Sequence, residues 1–213
     1  MDSGNTIARQ YANQRHGNPA AVGYDKSGGW SYGRYQITTS SASNPSGYGT
    51  MATFMENLKE YDIDSYNILI AAGGLEGAKA GTQEFKDAWA SITNSPNFVD
   101  AERAFIYDTH YVLVLDTISK YDPNIGNRSI EVQQAIWGQS VQLGVPLNKI
   151  FFSQFSKTTD IASLTDIELT QALYAYKIST VDTYFKSSTP EIRDAIRTRY
   201  ENELSSILKD LGG

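Results

Sequence analysis

The chain has 213 residues, 40% of them hydrophobic, which is enough for one domain, or one domain with two lobes, around a sizeable core. Its formal net charge is −6 and its lysines and arginines are scattered, which argues against nucleic-acid binding because neutralising phosphates needs a basic stripe. It has no cysteine and two histidines, His16 and His110. A disulfide framework and a thiolate metal site are therefore excluded, and we expect neither a zinc site nor a cofactor.

Nothing at the start of the chain resembles an ordinary export signal, because Met1 is followed by a polar run without a basic start or an apolar stretch. The longest apolar runs, at 68–72 and 111–115, are much shorter than the roughly 20 residues that a membrane-spanning helix needs. We therefore expect no membrane partner. The chain is either complete or a piece of a larger protein.

Most of the chain has apolar residues at spacings of three and four, which predicts a mainly helical protein. The last predicted helix begins at Pro190 behind Ser187, Ser188 and Thr189 and ends before Gly212, as capped helices do. In chain order, the predicted helices are about 6–16, 50–60, about 62–72, about 82–93, 98–120, 130–141, 166–185 and 190–211.

Residues 17–48 interrupt this pattern, since they hold six of the seventeen glycines and two of the six prolines. The alternation in "WSYGRYQIT" at 30–38 suits a short strand, and "SGG" before it supplies a turn in which glycine can take positive φ. We therefore predict a small β-hairpin from Asp25 to Ile37 within a mainly α (α+β) fold. No internal repeat or low-complexity linker is visible.

This order of helix, glycine-rich hairpin and helices resembles the lysozyme-like superfamily. In T-even phage lysozymes a catalytic Glu ends the first helix, and an Asp in the hairpin precedes a Thr by six residues; Asp25 and Ser31 have that spacing here. The sequence is also similar to a group of phage-tail and secretion-associated peptidoglycan hydrolases, chiefly through "GGWSYGRYQ" at 28–36. Further similarity lies in "GTMATFM" at 49–55, "FKDAW" at 85–89, "THY" at 109–111, "WGQSVQLG" at 137–144 and "YF" with "SS" at 184–188.

The resemblance implies a single lysozyme-like domain over 1–213, with a small hairpin lobe at about 17–48 and a pair of catalytic groups. A general acid is expected at position 14, Asp25 would be the general base or charge stabiliser, and Ser31 would help to hold a water. Residues that the resemblance places against the substrate are Trp30, Tyr32, Tyr35, Gln36, His110 and Gln142.

The sequence departs from this pattern at the general acid, where Gln14 stands in place of Glu. A glutamine cannot donate the proton that the leaving oxygen needs, and the first Glu in the chain is Glu56. Either the chain is a carbohydrate binder that lost its acid, or Gln14 was introduced into an active enzyme to trap a substrate complex. The intact remainder of the site and the isosteric change favour the second interpretation.

Each candidate also has a structural interpretation. Asp25 can be a turn residue that binds nearby backbone, and Ser31 can do the same. Tyr32 and Tyr35 can pack the hairpin, and His110 can be a core histidine. Gln139 and Gln142, three apart on one helix face, can line a cleft or be buried amides satisfied by backbone.

Three functions remain open on the sequence. The first is a muramidase that cuts the β-1,4 bond between N-acetylmuramic acid and N-acetylglucosamine, here in an inactive Gln14 form. The second is a non-catalytic peptidoglycan-binding module of a phage tail or an injected effector. The third is the same fold acting on chitin or chitosan.

We expect a monomer at the bacterial cell wall or periplasm, with glycan strands as its partner and an immunity protein or a larger parent chain as further partners. Delivery by a phage or a secretion system, or release through a membrane pore, would fit the missing signal.

Overall fold

The structure of the chain is a computed structural model that describes residues 18–26, 28–41 and 44–212. It is mostly helical with one small antiparallel sheet, which confirms the predicted mainly α (α+β) class. The predicted helix at about 6–16, and Gln14 with it, lies outside the described residues.

The contacts within the chain define two compact units, Met1–Asp108 and Thr109–Gly213. The predicted single domain over 1–213 therefore stays a prediction.

The first unit contains a three-stranded antiparallel sheet that follows the predicted break between helices. Tyr24 pairs with Trp30 and Asp25 with Gly29 across the first two strands, while Ser31 pairs with Thr38 across the second and third. The strands are β1 Val22–Asp25, β2 Gly29–Tyr32 and β3 Ile37–Thr38. The predicted hairpin is thus present with a short third strand added.

Five α-helices follow the sheet in this unit. Thr82 caps the fourth by accepting from the Phe85 amide, and Pro96 opens the fifth in the first-turn position that suits proline. The helices are α1 Gly49–Tyr61, α2 Ile63–Ala71, α3 Gly74–Ala80, α4 Gln83–Ile92 and α5 Pro96–Ile106. Aromatic rings fill the core between them and the sheet, namely Tyr32, Phe54, Phe85, Trp89, Phe98 and Phe105.

The predicted helix over 98–120 is wrong as one regular α-helix. The α-helical hydrogen bonding changes to a π-helical segment, Tyr107–Tyr111, before α6 Val112–Ser119 begins. The boundary between the two units falls inside this segment.

The regular elements in the described part of the second unit are all helices, joined by turns. They are α6, α7 Ile130–Phe155, α8 Asp166–Ser179, α9 Val181–Tyr184 and α10 Pro190–Asp210, with 3₁₀ turns at Ile125–Asn127 and Ile161–Ser163. The predicted helix over 166–185 ends early at Ser179, where the Thr180 hydroxyl donates to the Tyr176 carbonyl.

Helix α7 is longer than the predicted 130–141 but is broken inside. Gly144 has φ 65 and ψ 172, outside the helical region, and Pro146 starts the second half. Asn148 holds this kink, because its side-chain amide donates to the carbonyls of Gln139 at 3.1 Å and Gly144 at 2.8 Å. Among the described residues, no helix combines the length and apolar character that crossing a membrane requires.

Candidate functional site in the glycine-rich sheet

Asp25 ends strand β1 and forms the turn into β2. Its carboxylate accepts a hydrogen bond of 2.6 Å from the Gly28 amide, and the residue is exposed. The turn closes at Gly29, whose φ of 69 lies in the left-handed region that favours glycine. The structural interpretation of Asp25 as a turn residue therefore holds, and the same bond fixes the orientation of an exposed carboxylate.

The register of β1 and β2 separates the predicted site residues onto two faces of the sheet. Side chains alternate between faces along a strand, and paired residues share a face. Asp25 and Ser31 therefore lie on one face, whereas Trp30 and Tyr32 lie on the opposite face with Tyr24. Only part of the predicted set is brought together on one face of the sheet.

Ser31 lies on the Asp25 face in contact with Gln36. It is 6% exposed, and its hydroxyl donates to the Gln36 side-chain oxygen over 2.8 Å. Gln36 is exposed, and its φ of 54 makes it the one described non-glycine residue with positive φ. Such a backbone is costly outside glycine, so surrounding contacts must stabilise it. The water-holding role of Ser31 and the substrate role of Gln36 stay predictions.

Trp30 lies on the other face, where its ring is largely covered. The Lys86 ammonium is 3.7 Å from the ring centroid, and a Cβ added to Gly81 would lie 2.1 Å from the indole. The Tyr24 ring contacts Trp30 edge-on with centroids 5.4 Å apart and is 66% exposed. Tyr24, which sequence reasoning missed, thus offers more open aromatic surface than Trp30.

Tyr32 is fully buried, so it offers no surface to a sugar. Its hydroxyl donates to the Ala78 carbonyl over 2.8 Å, its ring contacts Phe85 and Trp89, and burial raises its pKa to about 12. The burial of Tyr32 supports its packing interpretation and argues against its substrate role, which stays a prediction. Tyr35 is 8% exposed and is also buried.

An ion pair that sequence reasoning missed lies beneath the turn between β2 and β3. Nε of Arg34 is 3.2 Å from Oε2 of Glu102 on α5, and the Glu102 side chain is fully buried. The contact is an ion pair, and neither Nε of Arg34 nor the carboxylate oxygens of Glu102 form a hydrogen bond of good geometry within the described part of the chain. Burial raises the pKa of Glu102 to about 7, although the charges of Arg34 and Arg103 act to lower it.

His110 and Gln142 belong to the second unit. His110 lies in the π-helical segment with Nδ1 2.8 Å from the Thr109 hydroxyl, and burial lowers its pKa. The Gln142 side-chain oxygen accepts from the Tyr200 hydroxyl over 2.7 Å. Gln139 is 1% exposed, and neither atom of its amide has a hydrogen-bond partner among the residues that the structure describes, so their backbone does not satisfy it. The substrate roles of His110 and Gln142 stay predictions.

The chain is thus mainly helical, and its glycine-rich hairpin places an acid and a hydroxyl on one face of the sheet. The chain belongs to the family described as type VI secretion system spike protein VgrG3-like, C-terminal, whose match covers residues 4–204. The predicted delivery by a secretion system agrees with that family. The family description names no catalytic activity.

A curated relative is the type VI secretion system spike protein VgrG3 of Vibrio cholerae serotype O1. The two are 25% identical over 184 residues, which amounts to 85% of this chain and 16% of the relative. The chain therefore spans about a sixth of the length of the spike protein that it matches.

Proposed function

We propose that this chain is the peptidoglycan-cleaving domain of a type VI spike effector, a muramidase that cuts the β-1,4 bond between N-acetylmuramic acid and N-acetylglucosamine. The main support for the proposal is that Asp25 and Ser31 lie on the same face of the sheet, in a chain that belongs to the VgrG3-like C-terminal family. The glycan strand of the wall is its substrate, and delivery by the secretion machine to the periplasm is part of the proposal.

Glycoside hydrolysis needs two groups on opposite sides of the scissile bond. A carboxylic acid protonates the leaving oxygen, and a carboxylate activates water or stabilises the charge that develops on the sugar ring. Asp25 is assigned the second role, because it is the one acid in the sequence of the hairpin and its carboxylate is exposed. The bond from the Gly28 amide to Oδ1 orients that carboxylate.

The role of the general acid, which protonates the leaving oxygen, is assigned to position 14, where the sequence has Gln14. Glutamine has the size of glutamate and can hydrogen-bond to the glycosidic oxygen, but it cannot transfer a proton. The chain as it stands is therefore proposed to bind glycan and to cleave it very slowly, if at all.

Restoring the acid tests this proposal. Gln14→Glu should raise the rate of peptidoglycan cleavage by roughly 10²–10⁴-fold, the usual contribution of a general acid. The measurement is the release of new reducing ends from purified peptidoglycan, with free amino groups measured in parallel to detect amidase or peptidase chemistry. Purified chitin and chitosan serve as alternative substrates, since the acidic chain also suits a cationic glycan.

A second candidate function is a non-catalytic peptidoglycan-binding module, and the absence of a carboxylate at position 14 is the observation that favours it. Both functions predict that the present chain binds peptidoglycan in a pull-down with insoluble wall. They differ in the restored variant. If the Gln14→Glu protein folds and binds wall but releases no reducing or anhydro-sugar ends, the binding module is the correct function.

A further inference from the structure

We propose that Glu102 is a positioning residue, which sets the orientation of Gln36 and Ser31 through Arg34 and the turn between β2 and β3. The inference deepens the proposed function and rests on it, because Ser31 and Gln36 belong to the candidate glycan site. Glu102 itself is fully buried, so we assign it no direct contact with the substrate.

The turn is held against the body of the first unit at Gly33. Its amide donates to the Ala21 carbonyl over 2.8 Å, and its φ is 74. A Cβ at this position would lie 2.8 Å from Oε1 of Glu102 and 2.9 Å from the Trp89 ring, so only glycine fits. The turn backbone therefore lies directly on the Glu102 carboxylate.

The same glycine fixes Gln36. The Gly33 carbonyl accepts from the backbone amide of Gln36 over 3.2 Å and from its side-chain amide over 2.9 Å. These two bonds hold Gln36 in its positive-φ conformation, with its side-chain oxygen accepting from Ser31. A shift of Gly33 would thus move the Gln36 amide and, with it, the hydroxyl of Ser31.

Within the described part of the chain, two arginines on different elements act on Glu102. Arg34 approaches from the turn, and Arg103 acts from the same helix α5 as Glu102. Arg103 also forms an ion pair with Asp100 at 3.2 Å, whereas Arg34 forms its ion pair with Glu102. The Arg34 pair is therefore the electrostatic link between α5 and the turn.

The ion pair between Arg34 and Glu102 should respond to pH near neutrality. Because burial raises the pKa of Glu102 to about 7, the carboxylate is charged above that pH and neutral below it. The attraction between Arg34 and Glu102 is present in the charged form and lost in the neutral one. We expect the turn to be held most tightly on the alkaline side.

The first experiment needs no enzymatic activity. The ¹⁵N-labelled chain is titrated from about pH 5 to about pH 9, and the side-chain amide signals of Gln36 are followed by NMR. We expect these signals to shift with a midpoint near 7. Glu102→Gln should abolish the shift, whereas the matched control Glu203→Gln, a carboxylate paired with Lys177 in the second unit, should retain it.

Two further variants keep the test decisive if Glu102→Gln does not fold. Arg34→Met removes a positive charge that lowers the Glu102 pKa, so the midpoint should move above 7. Glu102→Asp should retain a titration because it keeps a carboxylate. Gln36 signals that do not titrate, or whose midpoint is unaffected by Arg34→Met, would overturn the inference.

The second experiment asks whether the link matters for cleavage. In the Gln14→Glu protein, Glu102→Gln should lower kcat by roughly 10- to 100-fold with KM changed much less, the size expected for a displaced site. A kcat within twofold of the parent would overturn the positioning role. If Gln36 titrates as expected but the Gln14→Glu parent cleaves no glycan, the link from Glu102 to the turn is supported and the proposed function alone fails.

Discussion

The hydroxyl of Ser31 and the side-chain oxygen of Gln36 are 2.8 Å apart, and this bond joins strand β2 to the turn that follows it. Ser31 is nearly buried whereas Gln36 is exposed, so the bond lies just beneath the surface of the sheet. A serine that the sequence assigns to holding water therefore also has a structural bond.

We expect Ser31→Ala to lower the free energy of unfolding by about 1 kcal/mol, the usual net contribution of one hydrogen bond. The exposed Gln36 can turn its oxygen to water, so no buried acceptor is left without a partner. Urea denaturation of both proteins measures the change. The matched control is Ser91→Ala, because the exposed Ser91 hydroxyl donates to the local Ala88 carbonyl and its loss should stay within roughly 0.5 kcal/mol. Equal effects of the two variants would contradict this prediction.

Tyr32→Phe should affect stability but not glycan binding. The variant loses the 2.8 Å bond to the Ala78 carbonyl, yet that carbonyl still accepts from the Gly81 amide at 3.1 Å. The cost should therefore be about 0.5–1 kcal/mol, at the lower end for a buried hydrogen bond. Thermal unfolding and a pull-down with insoluble peptidoglycan measure the two properties. Loss of glycan binding by a folded Tyr32→Phe protein would restore the substrate role that burial argues against.

The outcome for Tyr32 illustrates what the sequence could and could not predict. The break in helical spacing and the turn glycines predicted the hairpin correctly, because those signals are local. Which face of the hairpin packs against helices depends on residues far along the chain, such as Ala78 and Phe85. The alternation in this segment predicted a strand, but it did not say which of its side chains would be buried against the helices.

Other parts of the structure were missed for related reasons. Helix α3, "GLEGAKA", is short and contains two glycines, which are poor helix formers, so the pattern did not predict it. Gly77 is required there because a Cβ would lie 2.7 Å from the Ala72 carbonyl. The pair of Arg34 with Glu102 joins two elements distant in sequence, and no local signal reports such a contact.

Glu102 should contribute a decrease in the stability of the chain as the pH rises from about 4.5 to about 7, whereas His110, whose pKa burial lowers, acts in the opposite direction below its ordinary 6.5. Glu102 has a pKa raised to about 7 in the folded chain, from an ordinary 4.5, so the folded state binds more protons than the unfolded state across this interval. The stabilising contribution of protonated Glu102 is fully present below about 4.5 and is lost by the time the pH passes 7. The corresponding change is on the order of 3 kcal/mol.

Urea denaturation at several pH values measures this slope. Glu102→Gln, which is neutral at every pH, should flatten the curve over this interval relative to the parent, while Glu203→Gln should leave the slope in place. A parent and a Glu102→Gln protein with the same pH dependence would contradict the assignment of the raised pKa to Glu102.

Asp25→Asn, made in the Gln14→Glu protein, should lower turnover by at least ~100-fold, the lower end of general acid–base contributions. The asparagine oxygen can still accept from the Gly28 amide, which Asp25 now binds over 2.6 Å, so the turn should be kept and the melting curve should change little. Reducing-end release from purified peptidoglycan measures the loss. Glu84→Gln is the control, because Glu84 is an exposed acid in the first turn of α4 and has no proposed role. Unchanged turnover with an unchanged melting curve would move the base role away from Asp25. Asp62 and Asp64 would be examined next, and of the two Asp62 is the poorer replacement, since it is 7% exposed and already accepts from the Ser65 amide at the start of α2, whereas Asp64 is exposed.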